Sequence, residues 1–145
     1  MSNNLLFIDD ENDILKNYMA LFKEHMESIK NTNKGEGPDI YQRDQFTIHT
    51  AISGEDGIEI VKKKKGEGDN INVCFVDMRM PGLSGLETIK KIHDFDSKVE
   101  IVIVTAHFDE SIGNILKTVG EPEKFLYLKK PFHRYEIIQL ARNLT

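Results

Sequence analysis

Three uninterrupted apolar runs, 5–8, 73–76 and 101–104, stand between polar flanks, and each is four residues long. Runs this short, without alternation, suit strands buried on both faces, as in a parallel sheet covered by helices. Between them the period changes. Ile14, Tyr18, Leu21, Phe22, Met26 and Ile29 recur at three- and four-residue spacing and predict a helix over about 13–30. Phe46, Ile48 and Thr50 alternate with Thr47 and His49, which predicts a second strand near a sheet edge. A second helix is expected over 54–65. It has Glu55 and Asp56 at its start, Lys62, Lys63, Lys64 and Lys65 at its end, and Gly66 placed to cap it. The third strand is read at 72–76, and the third helix at 85–94 with Leu86, Ile89 and Ile92 inward. The fourth strand is read at 99–104. Ile112, Ile115, Leu116 and Val119 mark a fourth helix, closed by Gly120 and Pro122. The fifth strand is read at 125–128. A last helix, carrying Ile137, Ile138, Leu140, Ala141 and Leu144, starts near His133. Five βα units in strict alternation predict an α/β fold with a parallel sheet. Residues 31–45 fit no element. They are polar, with Gly35, Gly37 and Pro38, and a connection this long is expected to be a functional or mobile loop.

Composition narrows the class. A chain of 145 residues fits one domain. Lys and Arg number 19 and Asp and Glu 24, a formal net charge of −5, which argues against direct nucleic-acid binding because phosphate contacts need a basic face. Apolar residues at 39% are enough for a core, yet no run approaches the roughly 20 residues of a membrane span. Asp9 and Asp10 come too early for a signal peptide. The single cysteine, Cys74, excludes an internal disulfide and agrees with a reducing compartment, so a cytoplasmic location is expected.

In a parallel α/β sheet the C-terminal strand ends share one edge, and ligands bind there. The residues read as following the strands are Asp9-Asp10-Glu11 after the first, Asp77 after the third, Thr105 after the fourth, and Lys129-Lys130-Pro131 after the fifth. Each has a plain reading. Asp9-Asp10 could be a helix N-cap, Asp77 a turn former, Thr105 a strand-end cap and Lys130 a solvated lysine. Cys74 reads as core rather than nucleophile. The five histidines show no metal-ligand spacing. The plain readings would have to coincide at four of five strand ends, which favours a shared crevice with three carboxylates, a hydroxyl and an ammonium.

The segments FIDDE (7–11), VDMRMPGLSG (76–85), IVTAH (103–107) and YLKKPF (127–132) resemble the receiver domain of two-component response regulators, the CheY-like group. Asp77-x-x-Met80-Pro81-x-x-x-Gly85 matches that family's phosphoacceptor pattern. The resemblance implies a doubly wound, flavodoxin-like (βα)5 fold with a five-stranded parallel sheet in order 2-1-3-4-5. It implies one receiver domain over 1–145, either standing alone or forming the N-terminal part of a longer protein. Two departures are visible: the long 31–45 segment, and extra length near 119–124.

By the same resemblance Asp77 accepts a phosphoryl group from the phosphohistidine of a sensor histidine kinase or a phosphotransfer protein. The chain would be a switch, catalysing only its own phosphotransfer and slow autodephosphorylation. Two carboxylates about 4 Å apart repel by roughly 4 kcal/mol at an effective dielectric of 20, so a divalent cation is required. Mg2+ would be held by Asp10, Asp77 and the Arg79 backbone carbonyl, with Asp9 acting through water. Lys130 would pair with the phosphoryl oxygens. Thr105 would move to bond one of them, and Tyr127 would turn inward. The Lys130–Pro131 bond is a cis candidate. Output is expected on the face of the fourth helix, fifth strand and last helix, where homodimerisation is conceivable. A haloacid-dehalogenase-type phosphatase would want a second acid two residues after the nucleophile, and that position is Arg79. A nucleotide switch would want a glycine-rich phosphate loop, and neither G-x-x-x-x-G-K-[ST] nor G-x-G-x-x-G occurs.

Overall fold

Each apolar run becomes a strand with helices on both sides. The computed structural model describes residues 3–32, 45–78, 84–106 and 125–145. Most of the predicted loop at 31–45, residues 79–83 including Arg79, the predicted fourth helix and the 119–124 segment lie outside the described residues. The strands are β1 (Asn4–Ile8), β2 (Thr47–Ala51), β3 (Val73–Asp77), β4 (Glu100–Thr105) and β5 (Leu126–Lys129). The described helices are α1 (Asn12–Thr32), α2 (Gly54–Gly66), α3 (Gly85–Phe95) and α4 (Arg134–Leu144). All strands run parallel in one sheet, in order β2-β1-β3-β4-β5.

The two-sided burial expected of the apolar runs divides by strand parity. Leu6, Ile8, Cys74, Val76, Ile101 and Ile103 pack under α2 and α3, against Ile58, Val61, Ile89 and Ile92. Leu5, Phe7, Val73, Phe75, Val102 and Val104 pack under α1 and α4, against Leu15, Tyr18, Phe22, Ile137 and Ile138. Cys74 is wholly buried, and burial pushes its thiol pKa up. It is a core residue.

Strands β3, β4 and β5 each end one residue later than the apolar pattern indicates. Asp77 and Thr105 do not follow their strands; each is the last residue of one, because the ladder continues through the Asp77↔Val104 and Thr105↔Lys129 pairs. Gly66 is not the cap of α2. It is the last helical residue, Glu67 is the C-cap, and the left-handed turn falls at Gly68, with φ of 77°. His133 does start the last helix, in a capping box with Glu136.

The sheet edge opposite the strand C-termini is tied by a buried asparagine. Asn4 Nδ2 donates to Asp69 Oδ2 at 3.0 Å and to the Asn70 carbonyl at 2.8 Å. Its Oδ1 therefore accepts, and His49 Nε2 donates to it at 3.2 Å. Burial, and then the nearby Lys64 charge, lower the pKa of His49 from its ordinary 6.5, with Asp69 and Glu67 opposing. A lowered folded value means the unfolded chain binds the proton more tightly. The contribution of His49 is therefore complete above pH 6.5 and is lost as pH falls through the folded value. Urea midpoints at pH 7 and pH 5 should drop less in His49→Gln than in the wild type; equal drops would contradict this.

Candidate functional site

Three strand ends bring the charged residues together. β1 delivers Asp9 and Asp10, β3 ends on Asp77, and Lys130 follows β5. The carboxylates of Asp9, Asp10 and Asp77 each have an oxygen within 4.8 Å of the others. Lys130 Nζ lies 3.8 Å from Asp9 Oδ2 and 3.9 Å from Asp77 Oδ2. Neither Asp9 nor Asp10 is the N-cap of α1. The Glu11 carbonyl accepts from the Ile14 and Leu15 amides, while Asp9 Oδ1 accepts from the Glu11 amide at 2.9 Å. That bond fixes one Asp9 oxygen and leaves Oδ2, buried and without a hydrogen-bond partner among the described residues, facing Lys130.

Asp9 is nearly inaccessible, at 1% exposure. Burial raises its pKa to about 6, the Glu11 amide pulls it down, Asp77 raises it and Lys130 lowers it. The shift expresses chiefly the burial of this carboxylate, with the neighbouring Asp77 and Asp10 charges adding to it. Among the described residues three carboxylates meet the Lys130 ammonium here, and oxygen-rich sites of this kind suit Mg2+.

Of the remaining predicted residues, Thr105 lines the same cleft. Asp10, Glu11, Ile14, Asp77, Thr105, Ala106 and Lys130 line a cavity of about 240 Å³. The Lys130 amide donates to the Thr105 carbonyl at 2.8 Å, which joins the ends of β4 and β5. The Lys130–Pro131 peptide is cis. Thr105 shares strand parity with Ile103, whose partner across the ladder is Tyr127. Tyr127 is half-buried against the α2/α3 core, and burial raises its pKa. Arg79 lies outside the described residues. Ile14 was legible only as a core position of α1, yet it forms one wall of the cleft.

α3 approaches this edge closely. Ser84 caps it, accepting from the Glu87 amide. A Cβ on Gly85 would sit 2.8 Å from both the Asp77 carbonyl oxygen and Met78 Cα. These are backbone atoms that cannot move without displacing Asp77. Gly85→Ala should therefore cost about 1–3 kcal/mol, by the usual penalty of overpacking. A denaturation midpoint equal to that of the wild type would show that the helix can slide away at no cost.

The response regulator receiver domain model matches residues 37–142. The chain belongs to that family. The match begins after Asp9 and Asp10, and the β1–β3 pairing is what places those residues beside Asp77. The response regulator SaeR of Staphylococcus epidermidis is 25% identical over 141 residues, 97% of this chain and 49% of the relative. The chain thus spans about half the length of that curated relative. Among solved structures, chemotaxis protein CheY4 of Vibrio cholerae superposes with a TM-score of 0.72 at 16% identity, covering 100% of both chains. A CheX–CheY–BeF3–Mg2+ complex from Borrelia burgdorferi gives 0.69 at 20% identity, covering 97% of this chain and 87% of that one. A receiver domain is a phosphorylation-activated switch of two-component signalling.

Proposed function

We propose that Asp77 is the phosphoacceptor of this receiver domain and that residues 1–145 form a single such domain. The observation that carries the reading is the meeting of Asp9, Asp10, Asp77 and Lys130 at one strand edge. A carboxylate can act as a nucleophile and form an acyl phosphate. Asp77 Oδ would attack the phosphorus of a phosphohistidine, the P–N bond would break, and the electron pair would leave with the imidazole. Lys130, already 3.9 Å from Asp77, would neutralise the oxygens that arrive.

The donor set fits Mg2+, held by Asp10, Asp77 and the Arg79 carbonyl, with Asp9 acting through water. The clustering of the three carboxylates, and an Asp9 Oδ2 without a hydrogen-bond partner among the described residues, support this set, as does a structural neighbour solved with BeF3 and Mg2+. The cation would supply charge neutralisation around the phosphoryl oxygens. Every other contribution comes from the chain: Asp77 attacks, Lys130 pairs, and Thr105 offers a hydroxyl. One hydrogen bond to a charged group is worth about 1.5–3 kcal/mol, whereas a full two-state shift needs about 5.5 kcal/mol. Thr105 therefore requires the Lys130 contact and the turning of Tyr127 to complete the switch. Slow autodephosphorylation would reset it. We place the switch in the cytoplasm, with a sensor histidine kinase or a phosphotransfer protein as its phosphoryl donor. Output would be read on the β5/α4 face, where Leu126 is exposed, and a second copy could dock there.

Magnesium should raise the melting temperature in proportion to ln(1 + [Mg2+]/Kd), and Asp10→Ala should remove most of that gain without unfolding the chain. Equal stabilisation of the variant would place the metal elsewhere. Phosphoryl uptake from acetyl phosphate with Mg2+, followed in the wild type and in Lys130→Ala, tests the catalytic assignment. Undiminished uptake in Lys130→Ala would contradict it.

A further inference from the structure

Four aromatic rings form a column from the centre of the sheet to the loop after β5. Phe75 and Phe7 lie on neighbouring strands, with centroids 4.7 Å apart and planes 12° from parallel. Phe7 meets Tyr18 of α1 at 4.5 Å and 20°. Tyr18 meets Phe132 at 6.2 Å and 2°, an offset stack within the favourable range for ring pairs. Three of these rings are spaced two residues from a charged group of the site: Phe7 from Asp9, Phe75 from Asp77 and Phe132 from Lys130. Tyr18 is the fourth ring, and it joins the strand rings to the loop ring.

Tyr18 is also close to the chemistry. It lines a groove of about 200 Å³ with Ile14, Lys130 and Phe132, and Ile14 and Lys130 are shared with the carboxylate cleft. The charges on Asp9 and Asp77 add to burial in raising the pKa of its phenol. Lys130, by contrast, must hold a long flexible side chain in one direction, against its rotamer entropy. Its backbone is tied on one side by the bond to the Thr105 carbonyl. On the other side, the next ring contact is Phe132 on Tyr18.

We propose that Tyr18 is a positioning residue for phosphoryl transfer: stacked between Phe7 and Phe132, it holds the loop that aims Lys130 at Asp77. It touches no reacting atom and works through Phe132 and Lys130. The inference rests on the assignment of Asp77 and Lys130 given above.

The test uses the full chain, beryllofluoride with Mg2+ as the phosphoryl mimic, and Mg2+ alone as the control, with both affinities read from amide chemical shifts. Tyr18→Phe keeps the ring and should match the wild type. Tyr18→Leu and Phe132→Leu should each weaken beryllofluoride binding roughly two- to tenfold, the worth of one ring pair. Mg2+ affinity should stay equal or tighten, because a displaced ammonium no longer competes for the carboxylates. The double variant should be no worse than the weaker single one, as expected for groups acting through one contact. General disruption would weaken both ligands together, and that result overturns the inference. So does Tyr18→Leu binding like the wild type, or Tyr18→Phe losing as much as Tyr18→Leu. If Tyr18→Leu does not fold, Phe132→Leu decides alone by the same criteria. A wild-type chain that takes no beryllofluoride overturns the Asp77 assignment and this inference with it. A wild type that binds while the ring variants match it overturns only the role of Tyr18.

Discussion

Asp77→Asn is expected to abolish phosphoryl uptake while making the metal-free protein more stable. The loss follows because a carboxamide cannot attack phosphorus to give the acyl phosphate. The gain follows from charge. Asp77 shares a 4.8 Å cluster with two other carboxylates and has one ammonium at 3.9 Å. Each carboxylate pair at that spacing repels by roughly 3–4 kcal/mol at an effective dielectric of 20, and the Lys130 contact is worth about one such pair. Among these described charges, removing the one on Asp77 relieves more than it costs, by on the order of 1–2 kcal/mol once partial solvent exposure is allowed for. Urea denaturation in EDTA should show a higher midpoint for the variant, and the difference should shrink when Mg2+ is added. A lower midpoint in EDTA would mean that Asp77 serves the fold through contacts stronger than the repulsion.

Phe7→Ala should be the most damaging single change in the core, costing about 3–5 kcal/mol. Phe7 is fully buried and meets three rings, Tyr18, Phe22 and Phe75. It stands on β1, paired with both β2 and β3, so the cavity would open in the middle of the sheet. It is also two residues from Asp9. Chemical denaturation should register the full loss, and the remaining folded fraction should bind beryllofluoride more weakly. A loss below about 1.5 kcal/mol would indicate that α1 collapses into the space.

Much of this was written in the order of residues. The apolar runs at 5–8, 73–76 and 101–104 marked the central strands because their burial is two-sided, and both faces are indeed filled. Asp9, Asp10, Asp77 and Lys130 were readable as partners because a parallel sheet gathers strand C-termini at one edge. Strand ends were less legible. Asp77 and Thr105 are polar, so hydropathy stops the strand before them, but backbone pairing is indifferent to side-chain polarity and carries the ladder one residue further. The α2 terminus was misplaced for a related reason: two glycines, Gly66 and Gly68, stand close together, and only backbone geometry shows which one takes positive φ. The column through Tyr18 was invisible because a tyrosine at helical spacing reads as one more core residue. Its meaning depends on Phe132, 114 positions later in the chain.

Everything at this strand edge turns on which residue accepts the phosphoryl group. Peptide mapping by mass spectrometry, after treatment of the wild-type chain with acetyl phosphate and Mg2+, tests it most directly. One labile adduct is expected on the peptide containing Asp77, formed only with a divalent cation and absent from Asp77→Asn. An adduct on another residue, at the same level in Asp77→Asn, would contradict it.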